Sequence, residues 1–130
     1  MIIDSSAIVA FIRNEPTADR VEAAMLSASP LRISAFTLLE TRIVLARHAG
    51  DVAVRECDLL LAKLGVRTEP FDEDQAALAF AAYSRYGKGT GHRARLNLGD
   101  CAAYALAMTH HEPLLYVGTD FARTDVTPAI

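Results

Sequence analysis

Apolar positions along this chain follow two different periods. Short apolar runs at residues 1–4, 31–34, 66–69 and 114–117 read as strands, with Leu31 and Ile33 on one face of the second. The longer stretches between them carry apolar residues three or four apart, the helical spacing. Such sets are Val21, Ala24, Met25 and Ala28, then Phe36, Leu39, Ile43 and Ala46, then Ala77, Leu78, Ala81 and Ala82. The predicted helices run from about Ser6 to Arg13, Thr17 to Ser27, Ala35 to Ala49, Val52 to Leu64, Glu73 to Tyr86 and Asp100 to His110. Breaks fall at Asn14-Glu15-Pro16, Ser29-Pro30, Gly50-Asp51 and Gly65. Ser5 or Ser6 is a suitable cap for the first helix, and Asp72 with Gln75 for the fifth.

Strands alternating with helices predict an α/β fold. The expectation is one domain over residues 1–130, with a mainly parallel central sheet of four to five strands. Right-handed crossovers put helices on both of its faces. In such sheets strand C-termini and helix N-termini share one edge, where ligands bind. Asp4 and Asp120 fall at or just past strand ends. Asp100 opens a helix after Gly99, which is expected to let the chain turn, and Glu40 lies early in its helix. Each acid has an ordinary reading. Asp4 is a turn or capping carboxylate, and Asp100 faces the positive end of a helix dipole. Thr37-Leu38-Leu39-Glu40 matches a capping box if that helix starts at Thr37, although Ser34 is an equally good cap. Four carboxylates on one edge, however, repel one another unless a cation neutralises them.

Oxygen ligands without a His or Cys partner suit Mg2+ or Mn2+. Ions held this way orient phosphates and activate water. Net charge is −3, which argues against coating nucleic acid by overall charge but leaves room for a local basic patch. One is present. The glycine-rich loop from Arg85 to Arg95 holds Arg85, Lys88, Arg93 and Arg95, and no acid occurs between Asp74 and Asp100. A polyanion drawn to that loop would be delivered to Asp100. The loop lacks the first glycine of a phosphate-binding P-loop. Hydrophobic residues make up 52% of the 130, enough for a sizeable core. The opening segment does not resemble a signal peptide, and no apolar stretch approaches the ~18 residues that span a bilayer. Cys57 and Cys101 lack metal-ligand spacing and suit a reducing cytoplasm, the expected location. His110 and His111 sit at the helix end opposite Asp100 and read as C-terminal cations.

The segments Met1-Ile2-Ile3-Asp4-Ser5-Ser6-Ala7-Ile8-Val9-Ala10, Leu39-Glu40, Asn97-Leu98-Gly99-Asp100-Cys101 and Gly118-Thr119-Asp120-Phe121 together resemble PIN-domain ribonucleases, in particular the VapC toxins of bacterial toxin–antitoxin pairs. The resemblance covers essentially the whole chain, and the mycobacterial type shares the Tyr-Gly-Lys-Gly loop. It implies an Mg2+- or Mn2+-dependent endoribonuclease, with tRNA a candidate substrate, that forms a homodimer and pairs with a VapB-type antitoxin whose C-terminal segment blocks the cleft. The apolar helices between residues 17 and 64 are the expected docking surface. Asp4, Glu40 and Asp100 carry over as metal-binding and catalytic acids, and Ser6 as the hydroxyl that helps hold them. The fourth acid is Asp120, with Asp125 a weaker candidate, because the family's usual alignment puts Gly118 at that position. Lys88, Arg93 and Arg95 would contact RNA. Two other readings use similar parts. A receiver or dehalogenase-type phosphatase would need a second acid near Asp4, where this chain has Ser6. A non-catalytic RNA- or protein-binding scaffold would not need the complete acid set.

Overall fold

Two adjacent isoleucines organise the architecture. In the computed structural model, which describes residues 1–130, β1 (Ile2–Ile3) is central in a four-stranded sheet of order β3-β2-β1-β4. Its partners are β2 (Arg32–Ser34) and β4 (Leu114–Leu115), and β3 (Arg67–Glu69) adds to β2 at the edge. All pairings are parallel, with Ile2 opposite Arg32 and Leu114. Successive strand residues face opposite sides. Ile2 and Leu114 therefore pack with α4 (Glu73–Tyr86) and α5 (Leu98–His110). Ile3 and Leu115 pack with α1 (Ser5–Ile12), α2 (Ala18–Ser27) and α3 (Ala35–Lys63). The result is the expected three-layer α/β arrangement, with every strand parallel.

Local details depart from the sequence expectations in ways that matter for the site. The first helix starts at Ser5 and is capped by Asp4 rather than by a serine. The two helices expected on either side of Gly50 meet end to end without a loop. Gly50 (φ 73°, ψ −173°) is the non-helical kink between them, a backbone conformation that glycine adopts readily. α3 is capped by Ser34, whose hydroxyl accepts from the Phe36 N–H at 3.3 Å. Thr37 is therefore inside the helix, and the capping-box reading of Glu40 fails. α5 begins at Leu98, so Gly99 is a helical residue rather than a loop hinge. Every residue from Gly99 to Ala107 is buried, which explains why this helix is apolar all round instead of along one stripe. β4 is two residues long, so the segment before Asp120 is turn rather than strand. Both cysteines are free and buried. No helix is long and apolar enough to cross a membrane.

Candidate active site

Asp4 follows β1 directly and is almost completely buried. Its Oδ2 accepts from the Ser6 backbone N–H at 2.9 Å and from the Ser6 hydroxyl at 2.5 Å. The same hydroxyl accepts from the Val117 N–H at 3.0 Å, which ties Asp4 to the segment leaving β4. Asp4 Oδ1 is buried and has no hydrogen-bond partner. Burial raises this carboxyl above its ordinary range. The Ser6 and Ser5 hydrogen bonds oppose that rise, and the Asp120 charge adds to it.

Asp100 sits at the third position of α5 and forms a reciprocal cap with Asn97. Asn97 Oδ1 accepts from the Asp100 N–H at 2.9 Å, and Asp100 Oδ2 accepts from the Asn97 N–H at 2.7 Å. The ordinary capping reading of Asp100 is thus correct, but it accounts for only one of its oxygens. The carboxyl is pushed up to about 7, chiefly by burial. The Asn97 hydrogen bond opposes this, and the charges of Asp4, Asp120 and Glu40 reinforce it.

Glu40 reaches the same place from the second turn of α3. It is half-buried, and its Oε2 lacks a partner. Burial raises its carboxyl too, with Ser5 opposing and Asp4 adding. Asp120 opens a 3-10 turn, Asp120–Arg123, that is anchored by buried Phe121 against Tyr116. Asp120 is exposed, yet its charge acts on both Asp4 and Asp100. Asp125 is engaged elsewhere. It accepts from the Tyr104 hydroxyl at 2.7 Å and from Arg85 at 2.9 Å, and its carboxyl is lowered first by the Tyr104 bond.

Asp4, Glu40, Asp100 and Asp120 therefore share one edge, as the sequence reading expected, and Asp125 does not. The side chains do not close into a ready set of three around one point. Their chemistry nevertheless fits a hard cation. All four donors are carboxylates, and two carry buried oxygens without a partner, Asp4 Oδ1 and Glu40 Oε2.

A cleft of about 790 Å3 opens beside Asp100 and Asp120. Lys88, Arg93 and Arg95 line it, joined by Arg123. The basic loop is held in place by backbone pairing of Lys88 N–H to Leu96 C=O and of Leu96 N–H to Tyr86 C=O, both 2.9 Å. The Tyr83 hydroxyl also donates to the Lys88 carbonyl at 2.8 Å. Arg95 adopts a left-handed backbone, φ 58°, a costly conformation for a residue with a side chain. Arg85 leaves the cleft; it lies over the Tyr86 ring and pairs with Asp125. The sequence reading missed Asn97 and Arg123. Asn97 was recoverable as a cap residue three positions before an acid. Arg123 gave no signal until the turn after Asp120 was known.

On the other side of Glu40 runs an apolar groove of about 470 Å3, formed with Leu39, Ile43 and Leu98. It continues past Phe36 into a wholly apolar hollow of about 390 Å3 beside Phe71 and Phe80. Leu39, Ile43, Phe80 and Leu98 are exposed there. The apolar face of α3, within the region 17–64 expected to dock a partner, thus continues onto residues of α4 and α5.

Residues 1–126 match the PIN domain family. Ribonuclease VapC28 of Mycobacterium tuberculosis is 45% identical over 130 residues, covering 100% of this chain and 98% of the relative. Among solved structures, Mycobacterium tuberculosis VapC20, described as a sarcin-ricin loop cleaving toxin, superposes with a TM-score of 0.80 at 17% identity, covering 97% of this chain and 95% of that one. A toxin–antitoxin complex from Klebsiella pneumoniae gives a TM-score of 0.70 at 18% identity, with coverage of 95% and 92%. At those identities the two structures speak for the fold.

Proposed function

This chain belongs to the PIN-domain family as a VapC-type member, and on that premise we propose that it is an Mg2+- or Mn2+-dependent endoribonuclease, the toxin of a toxin–antitoxin pair. The observation that carries the reading is the meeting of Asp4, Glu40, Asp100 and Asp120 beside a cleft lined by Lys88, Arg93, Arg95 and Arg123. The relative's name supports the ribonuclease part of the reading, and the structural neighbours support its fold.

The residues divide the work. Asp4, Asp100 and Asp120 would hold the cation through their carboxylate oxygens, and Glu40 would hold a second ion or orient the attacking water. When bound, the ion neutralises the acids, lowers the pKa of water and steadies the leaving oxygen. Lys88, Arg93, Arg95 and Arg123 bind the phosphates on either side of the scissile bond. Ser6 fixes Asp4 relative to the arm that carries Asp120. In-line attack by water on phosphorus breaks the P–O3′ bond; the water's oxygen stays on the 5′-phosphate, and the released 3′-oxygen takes up a proton to become the 3′-hydroxyl.

The partner is a VapB-type antitoxin, in keeping with the toxin–antitoxin neighbour. The apolar groove along Leu39, Ile43 and Leu98 suits an apolar antitoxin segment that ends beside Glu40. The active unit is a homodimer. The test is RNA cleavage in Mg2+ or Mn2+ by wild type and by Asp100→Asn. Cleavage by the folded variant at the wild-type rate refutes the proposal.

A further inference from the structure

Gly99 and Gly87 stand apart among the glycines of this chain, and at Gly87 the crowding comes only from Tyr83, four residues earlier. Gly50, Gly65, Gly89, Gly91 and Gly118 all have positive φ and open space around them, as turn glycines do. Gly99 lies in the first turn of the buried helix α5, outside the positive-φ set. Nothing in its backbone requires glycine there, and glycine weakens a helix relative to alanine. The reason is across the helix. A Cβ on Gly99 would fall on the carboxyl group of Glu40, overlapping its carbon and both oxygens. Those atoms arrive from α3, which packs on the opposite face of the sheet from α5. The overlap involves the far end of one flexible side chain, with no backbone among the three nearest atoms.

We infer that Gly99 is a positioning residue: the absent side chain is the seat of the Glu40 carboxylate, which holds it against the first turn of α5 beside Asp100. The positive dipole end of that turn favours a negative charge there. With a methyl group at this position α5 still forms, and Glu40 swings out along the open groove lined by Leu39 and Ile43. The acid edge then has three members. The inference rests on the nuclease reading for its consequence, but its geometric content stands separately.

Three variants test it: Gly99→Ala, Glu40→Asp, and the two combined. Thermal melting of Gly99→Ala is expected at or above wild type, because alanine favours the helix. Mn2+ alone, titrated calorimetrically, should bind this variant about 10–100-fold more weakly, the range seen when a residue supporting a metal ligand is lost. RNA cleavage should fall with it. Glu40→Asp withdraws the carboxylate by one methylene. It should therefore weaken Mn2+ binding in the wild-type background yet recover part of the loss in the Gly99→Ala background. A lost helix or a loosened fold would not produce that reversal of sign. A crystal structure of Gly99→Ala with the Glu40 carboxylate still against the first turn of α5 overturns the inference, as does equal harm from Glu40→Asp in both backgrounds. Failure of wild type to cleave RNA in Mg2+ or Mn2+ defeats the nuclease reading instead, and the structural and Mn2+-binding results still decide the role of Gly99.

Discussion

At pH 8, without divalent ions, replacing Asp100 by Asn should stabilise this protein. The Asp100 carboxyl is raised from 3.8 to about 7 by burial and by its acidic neighbours. About three pH units at about 1.36 kcal/mol each make roughly 4 kcal/mol. The native state thus holds this proton more tightly than the unfolded chain does. Stability is fully present below pH 3.8, declines as pH rises through the window up to about 7, and is depleted by pH 8. From pH 5 to pH 8 the wild type should lose about 2.5 kcal/mol from this group. Asp4 and Glu40 are raised as well and push in the same direction. The lowered acids, Glu112 and Asp125, act in the acid range and leave this window alone.

In Asp100→Asn the amide oxygen keeps the bond from the Asn97 N–H, so the cap survives while the charge is gone. The expected gain at pH 8 is about 2–4 kcal/mol, equivalent to roughly 10 °C in Tm for a domain of this size. Thermal and urea denaturation in EDTA at pH 5, 6.5 and 8 measure it. Wild type should weaken with rising pH, and the variant should be nearly flat. Mn2+ at about 1,000 times its Kd should invert the order, since it then adds about 4.1 kcal/mol to a protein that binds it. A wild-type stability that is flat or rises from pH 5 to pH 8 in EDTA refutes the reasoning, as does a variant no more stable at pH 8.

Asp120→Asn should lower metal-dependent cleavage with little change in stability. Asp125→Ala should do the reverse, costing about 1–3 kcal/mol in urea denaturation as the Tyr104 hydroxyl loses its acceptor; the opposite pattern would make Asp125 the fourth acid. Changing Lys88, Arg93 or Arg95 to Gln should each reduce the salt slope of RNA binding by about 0.7 for a single-stranded contact, measured across about 50–200 mM salt, whereas Arg85→Gln should leave it unchanged. Ser6→Ala removes the link between Asp4 and Val117. It should destabilise by about 1–3 kcal/mol and weaken Mn2+ binding, and unchanged Mn2+ affinity would show that Asp4 holds its place without it.

The layers of this fold were legible because strands and helices bury their residues at different periods, and both periods are plain in the chain. The alternation of Ile2 and Ile3 between two cores needed the structure only to say which helices lie on which face. The site was legible as far as local signals reach. Asp4 and Asp100 stood out as acids at element ends. Glu40 stayed ambiguous because two possible caps, Ser34 and Thr37, set the start of its helix differently, and the outcome depends on burial rather than propensity. Gly99 was misread for a related reason. A glycine before an acid at the head of an apolar run looks like a turn, and nothing local reveals a carboxylate arriving from another helix. Arg123 was invisible because its direction depends on a 3-10 turn that begins five residues beyond a two-residue strand.

The two most buried acids divide their oxygens in the same way, which lets capping coexist with the metal binding proposed for them. Asp4 commits Oδ2 to Ser6 and leaves Oδ1 free. Asp100 commits Oδ2 to Asn97, and its Oδ1 makes no hydrogen bond. One oxygen fixes the side chain to the start of a helix and the other is left without a partner, so the rigidity a ligand needs comes from the bond that makes the residue look ordinary. Glu40, in the second turn of α3, caps no helix; Ser5 bonds its carboxyl, and the space above Gly99 receives it. A capped acid at a helix start is therefore not evidence against a functional site; what discriminates is whether its second oxygen meets other acids from distant elements. That is the case for Asp100 and Asp4. Asp72 caps α4 in the same way, its Oδ1 accepting from the Gln75 N–H, but it does not line the basic cleft.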